Sequence, residues 1–255
     1  MDDMFRLDDK VAVVMGGAGG LGEVIARGLA QQGARIAIAS RNLEKLQKAA
    51  QKIHDETSSE AMAFQVDVLS EQSIIQLGKQ VLDKFGTVDI LVNSHGANIK
   101  AVPDKISLED WDFMFDVNVR GTMLTCREFA KPMIKKNKGK IINLSSVRGI
   151  RGTDGGNVGY CATKGAVDMI TKTLAAEWAP NHINVNALAP SVVMTEMIKK
   201  AIPPERLERA ISRIPLRRLG EPEDMVGTAV FLASSASDFI TGQIIYVDGG
   251  LTAVA

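Results

Sequence analysis

Seven short apolar runs, distributed along the whole chain, constrain its fold more than any other feature of the sequence. They consist mainly of Val, Ile, Leu and Ala, a pattern typical of strands that are buried on both faces of a parallel sheet. The segments between them are long enough to form helices. The sequence therefore predicts strands at Val11–Met15, Ile36–Ala39, Met62–Val66, Ile90–Val92, Ile141–Leu144, Ile183–Leu188 and Ile244–Val247.

Segments with helix start and stop signals lie between these runs. Gly33 and Gly86 follow two of them, Pro180 follows a third, and Ser107 with Asp110 forms a capping arrangement before a fourth. Alternating strands and helices predict an α/β fold of the Rossmann type, with helices on both faces of a doubly wound sheet. The predicted helices run from the glycine-rich loop to Gln32 and over Leu43–Glu56, Ser70–Phe85, Ser107–Lys136, Gly159–Ala179 and Glu221–Ser234.

One stretch, residues 190–218, breaks this alternation. It contains no predicted strand, but it has Pro203-Pro204, Pro215 and seven basic residues. Because it follows the carboxyl end of a strand, where α/β sheets place ligands, it is a candidate substrate-binding insertion. A pair of solvated connecting helices is the alternative. Since the chain has no internal repeat or linker, residues 1–255 are predicted to form a single domain.

The composition excludes several classes of protein. Thirty basic and thirty acidic residues cancel, so the charge gives no indication of nucleic-acid binding. The first residues lack the pattern of a signal peptide, and no apolar run reaches the roughly 18 residues that span a bilayer. Two cysteines, Cys126 and Cys161, do not make a disulfide framework. We expect a cytoplasmic protein with no membrane partner and no metal site.

A glycine-rich loop follows the first predicted strand and precedes the first predicted helix. Glycines at positions 16, 20 and 22 allow a tight turn, a close approach of the backbone to a pyrophosphate and close helix–strand packing. The N-terminus of the helix then offers free N–H groups to the phosphates. In this context of strand and helix, the loop predicts dinucleotide binding rather than a merely flexible connection.

The end of the second predicted strand indicates which dinucleotide is bound. An acid at this place would bind the ribose 2′-hydroxyl of NAD, but no acid occurs between Gly33 and Leu43. Ser40 and Arg41 stand there instead, and a guanidinium can hold the 2′-phosphate of NADP. An exposed arginine at a helix start is the alternative. Asp67 is a candidate to accept a hydrogen bond from the adenine amino group or to cap the next helix, where Ser70 competes.

A tyrosine and a lysine form the candidate reactive pair. Tyr160 and Lys164 are four residues apart on a predicted helix and so share one face. The strand before this helix ends at Ser145-Ser146, at the edge of the sheet where ligands bind. A phenol with a pKa near 10 is a poor base at neutral pH, and a neighbouring ammonium would lower that pKa. A serine hydroxyl would hold the substrate oxygen, although the serine pair also suits a helix cap.

Five ordered motifs resemble those of the short-chain dehydrogenase/reductase family. They are Gly16-x-x-x-Gly20-x-Gly22, Asn93-x-x-Gly96, Asn118, Ser146 and Tyr160-x-x-x-Lys164. Pro190 and Thr195 fit the nicotinamide loop of the family and Asp248-Gly249-Gly250 its C-terminal signature, so the resemblance covers essentially the whole chain. The resemblance implies that Tyr160 is the acid/base, that Ser146 orients the substrate oxygen, and that Lys164 binds the nicotinamide ribose and lowers the pKa of the tyrosine. It also implies that Asn118 positions a water in a proton relay. Beyond the catalytic residues, the implied cofactor contacts are Gly16, Gly19, Gly20, Leu21, Gly22, Ser40, Arg41, Asn42, Asp67, Val68, Asn93, Gly96, Pro190, Val193 and Thr195.

The resemblance also carries implications for architecture. It implies a sheet of seven strands and a homotetramer, with the helices near Trp111–Lys136 and Gly159–Ala179 at an interface. The chain departs from the family pattern in four places, none of which removes a catalytic group. These are Met15 before the glycine loop, Ser94-His95 in place of Asn-Ala, Ser191 after Pro190, and a Ser146-to-Tyr160 segment one residue longer than is common.

Loop residues at the carboxyl edge of the sheet suggest a polar substrate pocket. His95, Arg148, Arg151 and Asn157 are candidates to bind a carboxylate or several hydroxyls, with solvated loop residues as the alternative. The stretch 217–222 and the end 236–242 resemble sugar-acid dehydrogenases of the family such as gluconate 5-dehydrogenases. The expected function is thus NADP(H)-dependent hydride transfer to or from a sugar acid or polyol. The alternatives are a 3-oxoacyl (acyl-carrier-protein or CoA) reductase and a non-catalytic NADP-binding sensor.

Overall fold

A single parallel sheet organises the molecule. The computed structural model describes residues 4–195 and 204–254. Within them, seven strands form the sheet: β1 (Val11–Met15), β2 (Arg35–Ser40), β3 (Ala61–Gln65), β4 (Ile90–Asn93), β5 (Gly139–Leu144), β6 (Ile183–Pro190) and β7 (Ile244–Val247). They lie in the order β3-β2-β1-β4-β5-β6-β7, and every neighbouring pair is parallel. This confirms the predicted doubly wound sheet.

Helices connect the strands and cover both faces of the sheet. The helices are α1 (Gly20–Gln31), α2 (Leu43–Thr57), α3 (Glu71–Phe85), α4 (Leu108–Phe115), α5 (Gly121–Lys136), α6 (Val158–Trp178), α7 (Pro204–Ser212) and α8 (Val226–Ala233). Alternate residues of β1 face different helices. Ala12 and Val14 belong to a buried cluster with α1, α2 and α8, whereas Val11 and Val13 belong to a second cluster with α3, α5 and α6. None of the helices in the described ranges is both long and apolar enough to cross a membrane.

Burial along the strands follows their position in the sheet. All residues of β1, β4 and β5 are buried, as their continuous apolar runs predict. The strands β3 and β7 are less buried than this pattern suggests, because each lies at an edge of the sheet and has only one neighbouring strand. The prediction of strands buried on both faces therefore holds for the centre of the sheet and is wrong for its edges.

The order of the strands creates a crevice at one end of the sheet. The chain winds outward from β1 to β3 and then returns to form β4 on the other side of β1. At the carboxyl end of β1, Met15 pairs with Ala39 of β2 and with Asn93 of β4. The connections from β1 and β4 leave in opposite directions from this point, which is where doubly wound sheets bind their ligands.

The predicted helix from Ser107 to Lys136 is divided. Ser107 caps α4 by accepting a hydrogen bond from the Asp110 N–H at 3.0 Å, as expected. The next five residues, Asp116–Arg120, form a π-helical turn before α5 begins. Such a turn inserts extra backbone into a helix and is frequent at functional sites. The helical periodicity of the sequence does not reveal it.

Candidate active site

The glycine loop after β1 depends on residues without side chains. Gly16 has φ +77°, and a Cβ there would lie 2.9 Å from the backbone nitrogen of His95. A Cβ on Gly22 would lie 2.4 Å from the carbonyl oxygen of Gly16. The loop after β4 and the first turn of α1 therefore approach the glycine loop as closely as two backbones can. This packing holds the start of α1 at the crevice.

The N-terminus of α1 suits the phosphates of a dinucleotide. Gly19 stands at its cap position and provides no side-chain hydrogen bond to the first N–H groups. A Cβ at Gly19 or Gly20 would meet no atom within 4 Å, so the space in front of these groups is open. Uncapped N–H groups and the positive end of the helix dipole bind anions. The residues present therefore fit the pyrophosphate of NAD(P).

The turn after β2 presents an arginine to solvent. Asn42 accepts a hydrogen bond from the Lys45 N–H at 2.9 Å and so caps α2. Gln65 donates to the carbonyl oxygen of Arg41 at 3.0 Å and ties the turn to β3. The Arg41 side chain is exposed and forms no ion pair with any described residue. Its guanidinium is free to meet a phosphate at this end of the sheet.

Ser70 rather than Asp67 caps the helix that follows, and the contact of Asp67 with adenine stays a prediction. Ser70 caps α3 by accepting a hydrogen bond from the Ser73 N–H at 3.2 Å. Asp67 does not cap this helix but accepts a hydrogen bond from the Leu69 N–H at 3.0 Å within the loop. The next residue, Val68, lies beside the first residue of α5, since a Cβ on Gly121 would be 3.2 Å from its side chain.

A buried polar network lies below the crevice. Asn93, at the end of β4, donates to the Asn143 Oδ1 of β5 at 2.9 Å and accepts from the Thr125 hydroxyl of α5 at 2.8 Å. Asn143 in turn donates to the Thr171 hydroxyl of α6 at 3.0 Å. These bonds join two strands and two helices through groups that have no access to water. Sequence reasoning missed all of them except Asn93, although the polar Asn143 inside an apolar strand was a signal.

Cys126 takes part in the same network. Its sulfur accepts from the Asn93 side-chain amide at 3.2 Å. Burial raises the pKa of this thiol to about 12, so it remains protonated. Cys126 is therefore a packing residue in the floor of the site.

Asn118 lies in the π-helical turn and is fully buried. Its Oδ1 accepts from the Ala97 N–H at 2.7 Å, and its Nδ2 donates to the Ala97 carbonyl at 2.8 Å and to the Thr163 hydroxyl at 2.9 Å. The side chain thus joins the loop after β4 to α6, the helix that carries Tyr160. A Cβ on Gly96 would lie 3.4 Å from the Asn118 Oδ1 and 3.9 Å from the Lys164 Nζ. The structure therefore brings Asn118, Gly96 and Lys164 together.

Lys164 is buried at the centre of the site. Its ammonium donates to the carbonyl oxygen of Leu144 at 2.6 Å and lies 5.6 Å from the centre of the Tyr160 ring. Burial lowers the pKa of Lys164 to about 8, while the nearby Asp168 carboxylate opposes that change. Asp168 lies one helical turn further along α6. Burial raises the pKa of its carboxyl group, and the Ser145 hydroxyl beside it opposes that change.

The surroundings of Tyr160 shift its pKa in opposite directions. Burial raises this pKa, while hydrogen bonding with the Ser146 hydroxyl and the charge of Arg148 lower it. The lowering of the tyrosine pKa by Lys164, which the family resemblance implies, stays a prediction.

The two serines after β5 have different surroundings. Ser146 faces the Tyr160 phenol and also accepts from the Arg148 N–H at 3.2 Å, which caps a short 3₁₀ turn. The Ser145 hydroxyl is directed instead to the carbonyl oxygen of Lys164, at 3.5 Å. The Ser146 hydroxyl thus caps the turn, while its role in orienting the substrate oxygen stays a prediction.

The loop after β6 closes another side of the crevice. The Ser146 hydroxyl donates to the carbonyl oxygen of Pro190 at 3.5 Å. Val193 is buried and pairs with Gly220, and the Thr195 N–H donates to the carbonyl oxygen of Val193 at 2.9 Å. The first part of the predicted insertion is thus anchored, whereas residues 196–203 lie outside the described residues.

A cavity of about 660 Å³ opens beside these residues. Arg148, Arg151 and Asn157, all predicted to contact substrate, lie on its wall. Arg148 connects the cavity to the reactive pair, because its charge also acts on the Tyr160 phenol. Arg209 and Arg213, which sequence reasoning did not single out, line the same cavity from α7 and the residue that follows it. The only sequence feature that indicated these two arginines was the basic character of residues 190–218.

His95 is not among the residues that line this cavity. It is partly buried, its Nε2 lies 3.4 Å from the Thr122 hydroxyl of α5, and its buried Nδ1 has no hydrogen-bond partner among the described residues. Desolvation, together with the positive charge of Lys164, lowers the pKa of His95 to about 3, so the imidazole is neutral. Its contact with substrate stays a prediction.

Fold and site together place the chain among the NAD(P)-dependent oxidoreductases with a doubly wound parallel sheet. A family model described as enoyl-(acyl carrier protein) reductase matches residues 16–252. D-threitol dehydrogenase of Mycolicibacterium smegmatis is 38% identical over 252 residues, which cover 99% of this chain and 96% of that protein. A 3-oxoacyl-acyl-carrier-protein reductase of Thermotoga maritima is 37% identical, with 96% of this chain and 99% of that protein covered.

Solved structures agree with these relatives. The crystal structure of a gluconate 5-dehydrogenase from Burkholderia cenocepacia J2315, in complex with NADP and tartrate, matches with a TM-score of 0.94 and 37% identity over 99% of both chains. The chain therefore belongs to the short-chain dehydrogenase/reductase family. This confirms the resemblance that the five sequence motifs indicate.

Proposed function

We propose that this protein is an NADP(H)-dependent oxidoreductase that interconverts a secondary alcohol and a ketone, with a sugar acid or polyol as substrate. The observation that carries the proposal is the grouping of Ser146, Tyr160 and Lys164 at the end of β5, beside a cavity with a polar and cationic wall. NADP(H) supplies the hydride for reduction and accepts it in oxidation.

Each side chain has a defined task in this proposal. The Tyr160 phenol gives a proton to the carbonyl oxygen during reduction and takes one from the alcohol during oxidation. The Ser146 hydroxyl orients that oxygen by a hydrogen bond. Lys164 would hold the nicotinamide ribose, and its charge would then favour the phenolate. Both amide hydrogens of Asn118 are already donated to Ala97 and Thr163, so a relay water would bind to an oxygen of Asn118.

NADP rather than NAD is the proposed cofactor. The support is the absence of an acid between Gly33 and Leu43 together with the exposed Arg41 at the end of β2. A guanidinium binds a phosphate with paired, charge-assisted hydrogen bonds. The gluconate 5-dehydrogenase that resembles this chain holds NADP in its crystal structure. The proposed contacts are those that the family resemblance implies, from Gly16 to Thr195.

The charged cavity favours a sugar acid or polyol over a fatty-acyl chain. Its wall combines apolar side chains such as Ile214 and Leu251 with Arg148, Arg151 and Asn157, and these three suit the carboxylate and hydroxyl groups of a sugar acid. A 3-oxoacyl-acyl-carrier-protein reductase function is the second candidate, supported by the relative from Thermotoga maritima. A non-catalytic sensor has less support, because it would not require Asn118, Ser146, Tyr160 and Lys164 at one sheet edge.

Turnover with NADPH tests the proposal. We expect the purified protein to consume NADPH with 5-keto-D-gluconate and to be much slower with acetoacetyl-CoA or with NADH. Tyr160→Phe should remove turnover and still bind NADPH, because the phenyl ring keeps the packing and loses only the proton. Preference for the thioester would replace the sugar-acid proposal with acyl reduction. Absence of turnover with every substrate in both wild type and variant would favour a sensor.

We further propose a cytoplasmic homotetramer with the helices 111–136 and 159–179 at an interface. The exposed Leu108 of α4 and Met169 of α6, 80% and 60% accessible, are apolar side chains that a neighbouring subunit would cover. The whole chain would act as one domain, with residues 190–218 as the substrate-binding insertion. Light scattering on the eluted protein tests the tetramer, and a monomeric mass would reject it.

A further inference from the structure

The cavity lined by Arg148, Arg151 and Asn157 is strongly cationic. Arg148 and Arg151 reach it from the segment after β5, Lys100 from the loop after β4, and Arg209 and Arg213 from α7 and the residue that follows. Asp154 is the only acidic side chain among the described residues of its wall. Five cations from three separate segments of the chain thus converge on a single space, although the whole chain has no net charge.

The described residues provide little neutralisation of these charges. The Arg209–Asp154 pair has a separation of 4.0 Å with both side chains largely exposed, so it contributes little. Arg148 donates to the Gly152 carbonyl at 3.3 Å, and Arg151 donates to the Leu251 carbonyl. Arg213 forms no ion pair with any described residue. Carbonyl oxygens orient two of the guanidinium groups without removing their charge.

The cations also act on each other. Arg148 is half-buried, and its pKa is lowered by burial first and then, among other charges, by those of Arg151 and Arg213. Bringing like charges together in a partly desolvated space is unfavourable unless an anion is present. An arrangement of this kind is typical of sites that bind a carboxylate or a phosphate.

We infer that the substrate carries a carboxylate or phosphate group, which Arg213 and Arg209 bind at the end of the molecule away from the reacting carbon. This inference rests on the proposed function and deepens it, since it makes the anionic group rather than the hydroxyls the basis of selection. Arg148 lies on the wall of the same cavity, and its charge lowers the pKa of the Tyr160 phenol. A neutral polyol would leave the cations unpaired and would bind weakly.

Three six-carbon substrates test whether the anionic group of the substrate is a carboxylate or a phosphate. Oxidation with NADP⁺ is measured for D-gluconate, which has a carboxylate, for D-glucitol 6-phosphate, and for neutral D-glucitol. We expect kcat/KM for one anionic substrate to exceed that for glucitol by more than about tenfold, and the ratio to fall as salt is added. The preferred anion identifies the group. Equal values for all three substrates would reject the inference.

Variants test the two arginines. Arg213→Ala should raise KM for the preferred anion about tenfold, and Arg209→Ala/Arg213→Ala should raise it further, with kcat nearly unchanged and no effect on glucitol. Lys48→Ala is the control, because Lys48 is an exposed cation on α2 that pairs with Glu44 and does not line the cavity. An Arg213→Ala enzyme with unaltered KM for the anion, or with an equal loss for glucitol, would contradict the inference.

Calorimetry separates this inference from the proposed function. Titration of D-gluconate and of D-glucitol 6-phosphate into the NADP⁺-bound protein measures binding without turnover. Binding of either anion that Arg213→Ala weakens, in a wild type that oxidises nothing, would support the anion site and reject the proposed function. Rapid oxidation of glucitol with no measurable anion binding would support the proposed function and reject the anion site.

Discussion

The Lys164 ammonium donates a hydrogen bond to the carbonyl oxygen of Leu144 at 2.6 Å, which ties the helix α6 to the last residue of β5. This bond holds a buried charge at a fixed point beside the Tyr160 ring, 5.6 Å from its centre. Burial of the phenol raises its pKa. The hydrogen bond to Leu144 thus fixes the position of the Lys164 ammonium relative to the phenol.

Replacement of Lys164 by methionine should remove this arrangement. We expect kcat to fall by more than about 100-fold, because the charge that favours the phenolate is lost, while the protein remains folded. Steady-state kinetics and circular dichroism measure the two effects. Lys172→Met is the control, since Lys172 is exposed on the same helix. Similar kinetics for Lys164→Met and Lys172→Met would show that Lys164 has no catalytic role.

Arg41 should determine the preference for NADP. Arg41→Ala is expected to raise KM for NADPH by about tenfold or more and to leave KM for NADH nearly unchanged, because only NADPH carries the 2′-phosphate. Lys48→Ala, an exposed charge further along α2 that pairs with Glu44, serves as the control. If both cofactors lost affinity equally, Arg41 would be only a surface residue.

Asp168 should set the pH range over which Lys164 remains protonated. Its carboxylate raises the pKa of Lys164, which burial otherwise lowers to about 8. Asp168→Asn should therefore lower that pKa further and move the alkaline limb of the kcat/KM profile to lower pH. The change at pH 7 should stay below about tenfold, because Asp168 touches no substrate. A profile identical to that of wild type and of the surface control Glu177→Gln would reject this role.

His95 should make the protein sensitive to acid. Its pKa is lowered from 6.5 to about 3 in the folded chain, so below pH 6.5 the unfolded chain binds a proton that the folded chain does not. The stability that His95 contributes is therefore present above pH 6.5 and is lost as the pH falls toward 3. The loss has a slope of up to about 1.4 kcal/mol per pH unit.

Urea denaturation at pH 7, 6 and 5 measures this effect. We expect the free energy of unfolding of His95→Gln to decline less steeply with falling pH than that of wild type. His54→Gln, which changes an exposed histidine on α2, should follow the wild type. Parallel curves for His95→Gln and wild type would mean that the buried imidazole is protonated in the folded protein.

Local signals account for what sequence reasoning predicted correctly. Apolar runs, Gly86 at the end of α3 and the cap at Ser107 act over a few residues, so they define strands and helices before any tertiary contact forms. The alternation of these elements leaves few possible topologies, which is why the doubly wound sheet was predictable. Tyr160 and Lys164 needed only helical spacing to share a face.

Contacts between distant segments decided the rest. The burial of His95 against α5, the network around Asn143, and the convergence of Arg209 and Arg213 on the cavity join residues far apart in the chain. The raised pKa of Tyr160 has the same origin, because desolvation depends on which side chains surround a group. The sequence by itself determined the fold and the reactive pair through local periodicity and spacing. Only the tertiary structure decided the protonation states of the site residues and which side chains surround them, because both depend on the environment that packing creates.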